Sequence, residues 1–251
     1  MRLFRAELHV HTVLSPCAEV EMIPPLIVQE AIDREIDLIA ITDHNATANI
    51  AAVQQAARDT GLAVLPGMEV QTVEEVHVLC LFDTLGQAEA WQAEVDRNLP
   101  LLENNIELFG EQFVVDHEGE FIRREPRLLL TSAALSIDDV YEKVATLGGL
   151  AIPAHVDRKA FGLFANLGLI SPSWPVAALE ISRHLSLGQA VQHYRQLQGY
   201  PLIRSGDVHR LEEFLGANQF IIETPTIAEI RKALAGQDGR VFAVTDNVHP
   251  G

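Results

Sequence analysis

The chain has 251 residues, of which 48% are hydrophobic and 21% are charged, and its 18 basic against 35 acidic residues give a formal net charge of −17. This length suits one α/β barrel or two small domains, and the apolar fraction is large enough for a substantial core, which excludes a disordered chain. An acidic surface repels polyanions, so the composition also argues against a module that binds duplex nucleic acid through counterion release.

Short apolar runs alternate with helical patterns along the chain, which is typical of parallel β-α units. The predicted strands cover residues 2–10, 38–42, 62–66, 76–82, 150–154, 177–182 and 200–205. The predicted helices lie at residues 24–35, 46–60, 137–147, 185–198 and 226–235, and most of them end at a glycine. The pattern therefore predicts an α/β fold, a distorted seven-stranded (β/α)7 TIM-like barrel in which residues 1–251 form a single catalytic domain.

Residues 86–135 interrupt this alternation. They predict one helix over about 87–109, followed by a β-hairpin in which 113–116 and 120–123 flank His117-Glu118-Gly119. We interpret the segment as an insertion over one mouth of the barrel, either a lid or a partner surface.

The chain carries no signal for secretion or for a membrane. No run approaches 18 uncharged apolar residues, and the first residues lack an apolar segment. Cys17 and Cys80 form no CxxC pair, which suits a reducing compartment. We therefore expect a cytoplasmic protein that does not bind a membrane.

Histidines and carboxylates recur at the ends of the predicted strands. In strand order these residues are His9 and His11, Asp43 and His44, Glu69, His77, His155, Glu180, and Asp207 and His209. Because the carboxyl ends of the strands of a parallel barrel meet at one face, we expect these side chains to converge there. Any one of these histidines alone would more often be a structural residue, but their joint placement makes that interpretation improbable.

The spacing of these residues favours a metal site. Side chains two residues apart on a strand point to the same side, so His9 and His11 can hold one ion, and Asp207 and His209 repeat the spacing. Imidazole and carboxylate ligands without paired thiolates suit Zn, Mn or Fe. The candidate ligands exceed the shell of one ion, which takes about four to six, so we predict two or three divalent ions.

Six motifs in the same order resemble those of the PHP (polymerase and histidinol phosphatase) family. They are His9-Val10-His11-Thr12, Thr42-Asp43-His44-Asn45, Gly67-Met68-Glu69-Val70, the isolated His77, Ala154-His155 and Gly206-Asp207-Val208-His209. The resemblance implies a distorted barrel and a phosphoesterase site with two or three metals. It assigns His9, His11, Glu69 and Asp207 to one metal, Glu69 with His77 and His155 to a second, and His44 and His209 to a third.

Cys17 lies where many relatives have an acidic residue or a histidine that completes the third metal site. A thiolate there would bind zinc or iron well, but a small buried side chain fits the position equally. Occupancy of the third site therefore depends on the role of Cys17.

The resemblance implies hydrolysis of a phosphoester by a metal-activated hydroxide. Arg158, three residues after His155, is the candidate cation for the phosphate, and Arg183 and Arg204 are alternates for substrate binding. We expect Asp43 to orient a ligand imidazole and His184 to act as leaving-group acid or substrate contact. We expect the substrate to be a small phosphorylated metabolite, a nucleotide or the end of a short single-stranded oligonucleotide.

Two other functions stay open. One is a non-catalytic metal-binding regulatory module that acts through a protein partner, because a fold does not fix a function. The other is a binuclear amidohydrolase, although that family expects a lysine where this chain has Glu69. Glu180 is as well explained by a solvated position as by a site role, and His117, His193 and His249 are assigned none.

Overall fold

The computed structural model describes residues 1–245, so His249 lies outside the described residues. The strands of the mixed α/β fold are β1 (Arg2–Val10), β2 (Leu38–Ile41), β3 (Ala63–Gln71), β4 (His77–Leu81), β5 (Phe113–Val115), β6 (Phe121–Arg124), β7 (Leu150–Pro153), β8 (Leu179–Ile181), β9 (Leu202–Arg204), β10 (Asn218–Ile222) and β11 (Val241–Val244). Each of the predicted strands therefore exists close to its expected place.

The main sheet has seven strands in the order β11-β10-β1-β2-β3-β4-β7, while β8 and β9 form a separate parallel pair. Two of the seven strands, β10 and β11, were not predicted, and both pair antiparallel to their neighbours. A mixed α/β fold with a curved seven-stranded sheet is thus confirmed, whereas the details of a closed (β/α)7 barrel of parallel strands are not.

Strand β4 runs opposite to the predicted direction. It pairs antiparallel with β3, with Gln71 opposite His77, and antiparallel with β7 on its other side. A tight link between β3 and β4 leaves no room for the crossover that a parallel neighbour needs. As a result, His77 at the start of β4 lies beside the carboxyl end of β3, and the reversal brings it to the same edge as the other histidines.

The helices are α1 (Pro24–Asp33), α2 (Ile50–Ala56), α3 (Leu85–Asn98), α4 (Ile106–Phe109), α5 (Ile137–Thr146), α6 (Leu163–Asn166), α7 (Leu187–His193) and α8 (Ile227–Leu234), with 3-10 turns at Arg195–Leu197 and Leu211–Glu213. The single helix predicted over 87–109 is wrong. Leu99 is extended, with ψ of 134°, and Pro100 follows it. A residue before proline avoids the helical region, and proline itself cannot donate the next helical hydrogen bond.

The segment between β4 and α5 contains α3, α4 and the predicted hairpin, which the structure confirms as β5 and β6. The hairpin contacts the loop after β1, where the Phe113 main-chain N–H donates to the Val13 carbonyl at 3.1 Å. The tip of the hairpin also lies against that loop, since a side chain at Gly119 would meet Ile23 at 2.7 Å.

Two apolar clusters support the sheet from its two faces. One includes the helix residues Trp91 and Val140, both fully buried, and the other packs Phe4 and Phe220 beneath α8. The apolar side chains of the sheet therefore hold the strands at fixed positions below the polar edge. Among residues 1–245, no helix is long and apolar enough to cross a membrane.

Candidate metal centre

Six strands place the predicted ligands in one region of the fold, at or just after the strands β1, β2, β3, β4, β7 and β9. His9 and His11 lie at the end of β1, and His44 forms a bridge to Glu69 just after β2. Glu69 does not close its strand as predicted, because β3 continues to Gln71 and then turns back into His77. His155 follows β7, and Asp207 and His209 follow β9.

His9, His11, Glu69 and Asp207 form the tightest group. The Nε2 atoms of His9 and His11 lie 3.1 Å apart, and Asp207 Oδ1 lies 3.2 Å from the first and 3.3 Å from the second. Glu69 contributes Oε1 at 3.3 Å from His9 Nε2 and Oε2 at 3.4 Å from His11 Nε2. These nitrogen and oxygen atoms can therefore face one ion together, as the first metal assignment expects.

Two carboxylate oxygens of this group lie close to imidazole nitrogens but accept no hydrogen bond from them. Glu69 Oε2 and Asp207 Oδ1 are buried, and neither has a hydrogen bond of acceptable geometry from any described residue, despite the close imidazoles. A buried carboxylate oxygen without a partner is costly unless a cation occupies the space between it and its neighbours. The residues present therefore fit a divalent metal ion at this position.

The Nδ1 atoms of three of the histidines lie within hydrogen-bond distance of an oxygen atom. His9 Nδ1 lies 3.0 Å from Glu180 Oε2, His11 Nδ1 lies 2.9 Å from Ser15 Oγ, and His209 Nδ1 lies 2.9 Å from the Asp207 carbonyl. Because each of these partners can accept a hydrogen bond from Nδ1, a neutral ring at these positions would carry its proton on Nδ1 and turn the Nε2 lone pair to the centre.

A second group adjoins the first through Glu69. His77 Nδ1 lies 2.8 Å and His155 Nε2 lies 3.1 Å from Glu69 Oε1, as the second assignment expects. His44 Nδ1 lies 2.9 Å from Glu69 Oε2, so His44 approaches this group as well as the third. Glu69 thus contacts imidazoles on both sides, which is the position that a bridging carboxylate would take.

The third group contains His11, His44 and His209. Cys17 is an exposed free thiol whose Sγ lies 3.1 Å from His209 Nε2. The structure therefore brings Cys17 to the group that it was predicted to complete, at the end of the site that is open to solvent.

Burial and neighbouring charges move the pKa values of these histidines in two directions. Burial lowers the pKa of His77 to about 4 and that of His209 to about 3. The same burial acts on His11 and His44, but Asp207 and Glu69 outweigh it at His11, and Glu69 and Cys17 outweigh it at His44, so the pKa of each rises to about 9. Burial alone would raise the pKa of Glu69, but the surrounding imidazoles outweigh it and hold this pKa well below its ordinary value.

Glu180 is a site residue. Its carboxylate is buried and accepts hydrogen bonds from His9 Nδ1 at 3.0 Å and from the His155 main-chain N–H at 2.9 Å. The solvated position that the sequence left open for Glu180 is therefore wrong. A carboxylate behind a ligand histidine fixes its tautomer and raises its basicity.

Asp43 acts on an imidazole only through another residue. Its carboxylate accepts from Thr12 N at 2.7 Å, from Thr12 Oγ1 at 2.8 Å and from Ser15 Oγ at 2.7 Å, and Ser15 in turn accepts from His11. The predicted direct contact between Asp43 and an imidazole is replaced by this relay. Sequence reasoning missed Ser15, whose position four residues after His11 was its only signal.

Buried Glu7 supports the loop that carries Asp207. Its carboxylate accepts from the main-chain N–H groups of Gly206 at 3.0 Å and Leu215 at 2.9 Å. Asp207 has a φ of 49° and His155 one of 28°, so two predicted ligands lie in the left-handed region. Such conformations persist where the surrounding contacts hold them, which is common at functional sites.

A polar cavity of about 410 Å³ opens beside the metal groups. It is lined by Cys17, His155, Arg158, Glu180, Ser182, Arg183, His184, Ser205, Gly206, Asp207, His209, Arg210 and Glu213. Arg158 pairs with Asp207 Oδ2, and Arg183 donates to the Gly206 carbonyl at 2.9 Å and to Glu213 at 2.8 Å.

Among the predicted substrate arginines, Arg158 and Arg183 lie at this cavity and Arg204 does not line it. The Arg204 guanidinium instead donates to the main-chain carbonyl of the lining residue Arg183 at 2.8 Å. His184 is exposed at the cavity, as expected of a residue that meets substrate. Arg210 was missed by sequence reasoning, although it directly follows His209, and it pairs with Glu19 at 2.8 Å.

Comparisons with known proteins match part of the chain to a known family. Residues 7–110 match the family model of the PHP domain. The 5'-3' exoribonuclease Rnm of Escherichia coli (strain K12) is 37% identical over 73 residues, which cover 28% of this chain and 24% of that protein. The match therefore spans only about a quarter of this curated relative.

Solved structures of low sequence identity share the fold. The lesion-specific endonuclease PfuEndoQ from Pyrococcus furiosus is 19% identical with a TM-score of 0.74, and the match covers 96% of this chain and 58% of that one. Endonuclease Q in complex with a 27-mer duplex that carries an abasic lesion at the active site is 19% identical with a TM-score of 0.67, over the same shares. The expected exclusion of duplex nucleic acid is thus not supported.

Proposed function

We propose that this chain, a member of the PHP family, is a metal-dependent phosphoesterase that acts on a small phosphorylated substrate, a nucleotide or the end of a nucleic-acid strand. The observation that carries the proposal is the convergence of buried imidazoles on Glu69 and Asp207, whose facing oxygens lack hydrogen bonds among the described residues. The cavity beside them is polar and lined by arginines, as an anionic substrate requires.

In this proposal His9, His11, Glu69 and Asp207 hold one ion, Glu69 with His77 and His155 holds a second, and His44 with His209 and Cys17 holds a third. The chemistry suits Zn, Mn or Fe, because imidazole and carboxylate predominate. Bound divalent ions supply Lewis acidity at phosphoryl oxygens and lower the pKa of water.

The residues of the chain itself orient and neutralise the substrate. Glu180 and Ser15 hold the rings of His9 and His11 so that Nε2 faces the centre. Arg158 is 43% exposed and pairs with Asp207, so it can turn to a phosphate that enters the cavity, whereas Arg183 is fixed by Gly206 and Glu213. Two cations at one cavity would offset the charge on the non-bridging oxygens.

His184 is the imidazole that we assign to the leaving group. It lies at the cavity and is exposed, so its ring can reach a substrate that the metal centre and Arg158 hold. As a general acid it would donate a proton to the departing oxygen.

The amidohydrolase alternative is weakened by the composition of the site. That family expects a lysine as the bridging ligand, and here the bridging position is Glu69. The lysines of the chain are Lys143, Lys159 and Lys232. Lys143 pairs with Glu94 and Lys232 with Asp238, and Lys159 is not among the residues that line the cavity.

The regulatory alternative has one observation in its favour. The segment after α3 exposes apolar side chains, with Leu101 91%, Leu108 74% and Ile122 58% exposed. Apolar patches of this kind are common at partner surfaces. A protein that binds metal tightly, turns over no phosphoester and recruits a partner through this segment would support the module over the enzyme.

The test is a screen of metal-reconstituted protein against phosphomonoesters, bisphosphates, short single-stranded RNA and DNA, and a duplex with an abasic site. We expect release of phosphate or nucleotides, and its loss in His9→Ala and Asp207→Ala. His193→Ala, an exposed position on α7 outside the cavity, serves as the matched control. Metal-loaded protein that cleaves none of these substrates would overturn the proposal.

A further inference from the structure

Phe161 covers one face of the predicted ligand His77. The two rings stack with their centroids 4.5 Å apart and their planes 8° from parallel. The His77 main-chain N–H also donates to the Phe161 carbonyl at 3.1 Å. The loop after β7 is therefore attached to the start of β4 through both its backbone and its side chain.

The backbone of Phe161 is in an unfavourable conformation. Its φ is 59°, in the left-handed region that favours glycine, and for a bulky residue this is a clear outlier. The glycine in this turn is the next residue, Gly162, where a side chain would meet the Arg158 carbonyl at 2.1 Å. The turn is thus tightly constrained, and position 161 carries an aromatic ring where glycine would relieve the strain.

The edges of the His77 ring already have partners. Nδ1 lies 2.8 Å from Glu69 Oε1, and Nε2 lies 3.4 Å from Gln71 Oε1. These two contacts lie in the plane of the imidazole ring. They therefore orient Nδ1 and Nε2 only if another contact keeps the ring from tilting out of that plane. A parallel aromatic ring against its face restricts that plane, because tilting the imidazole would lose the stacking contact.

Phe161 also separates His77 from solvent. It is 38% exposed, whereas His77 beneath it is 5% exposed. Removal of the phenyl group would open the imidazole to water and give the ring freedom to rotate away from Glu69.

We infer that Phe161 is a positioning residue for the second metal position, where it holds the plane of the His77 ring and shields it from water. The inference rests on the metal site of the proposed function, and it does not depend on the substrate. The strained backbone persists because the stacking contact and the tight turn at Gly162 hold it, and a strained residue kept in this way is a common feature of functional sites.

The test measures metal binding by Phe161→Ala, Phe161→Gly and Phe161→Tyr. Protein stripped with a chelator is titrated with Zn²⁺ against a competing indicator, and bound metal is counted by mass spectrometry. We expect the alanine and glycine variants to lose about tenfold in affinity for one ion per chain, as other supporting residues of metal ligands do. Tyrosine, which preserves the stacking, should restore wild-type affinity.

Thermal unfolding of the metal-free proteins separates positioning from packing. Glycine relieves the positive φ, so Phe161→Gly should unfold at a higher temperature than Phe161→Ala while its metal affinity remains low. Asp59→Gly relieves a φ of 66° at the end of α2 and should leave metal binding unchanged. Wild-type affinity in the alanine and glycine variants would overturn the inference, as would wild-type protein that binds no metal. Metal binding without turnover would refute the proposed function alone.

Discussion

Glu180→Gln tests whether the carboxylate behind His9 tunes the metal centre. In the structure Glu180 Oε2 accepts from both His9 Nδ1, at 3.0 Å, and the His155 main-chain N–H, at 2.9 Å. A glutamine oxygen at the same place can keep both hydrogen bonds. The substitution therefore removes the negative charge and leaves the geometry largely intact.

The expected loss follows from the strength of one charged hydrogen bond. A neutral hydrogen bond contributes about 1 kcal/mol, and a charge-assisted one is roughly twice as strong. The difference of about 1 to 1.5 kcal/mol corresponds to roughly a tenfold weaker Kd for the ion held by His9. Glu180→Ala should lose more, because it also leaves the buried His155 N–H without an acceptor, which costs about 1–3 kcal/mol of folding stability.

The assay is a competition titration of metal-free protein with Zn²⁺, with thermal unfolding in parallel. Glu229→Gln is the matched control, because Glu229 pairs with Arg240 at 2.9 Å, far in the fold from any ligand imidazole. It should lower the unfolding temperature without changing metal affinity. If Glu180→Gln binds Zn²⁺ within twofold of wild type, the carboxylate does not tune His9 and the reasoning fails.

Three further outcomes are expected. Cys17→Ala should lower the number of bound ions per chain, since Cys17 Sγ lies 3.1 Å from His209 Nε2, and an unchanged metal count by mass spectrometry would remove Cys17 from the ligand set. Arg158→Ala should reduce kcat/KM for phosphoesters by about 10- to 100-fold through lost charge neutralisation, whereas the neighbouring Lys159→Ala should not, and equal kinetics for both would exclude the role of Arg158. Arg240 lowers the pKa of Glu229 to about 2 from 4.5, so Glu229 stabilises the fold above pH 4.5 and loses that effect as pH falls towards 2. The unfolding temperature of the wild type should therefore fall more than that of Glu229→Gln as the pH is lowered across this range. An equal fall in both proteins would contradict the assignment.

His9 and His11 are the candidate ligands whose convergence local geometry alone predicts, whereas the resemblance supplied the metal assignments of the others. His9 and His11 are two residues apart on one strand, so the period of the strand brings them together without any knowledge of the fold. The position of His77 could not be derived in the same way, because an antiparallel strand has the same alternation as a parallel one. Its approach to Glu69 depends on the turn between β3 and β4.

The contacts of the supporting residues could not be derived from the sequence because their signal is three-dimensional. Glu180 reaches His9 across 171 positions of sequence, and nothing in the sequence around either residue indicates the contact. Phe161 resembles any apolar loop residue until its positive φ and its stacking on His77 are visible. The strands β10 and β11 did have a local signal, since Phe220-Ile221-Ile222 and Val241-Phe242-Ala243-Val244 are short apolar runs.

The distribution of charge bears on the size of substrate that the site favours. The chain is strongly acidic, at −17, and two or three divalent ions would add about +4 to +6 at the cavity alone. The arginines of the hairpin do not extend this positive region, because Arg123 pairs with Glu125 and Arg124 with Glu111. If the proposed function holds, attraction for an anionic chain would be concentrated at the cavity, where one or two phosphates could contact Arg158 and the bound metal ions. Longer nucleic acid gains little from the remaining surface, and a duplex would bind only if its contacts at the cavity outweighed repulsion elsewhere.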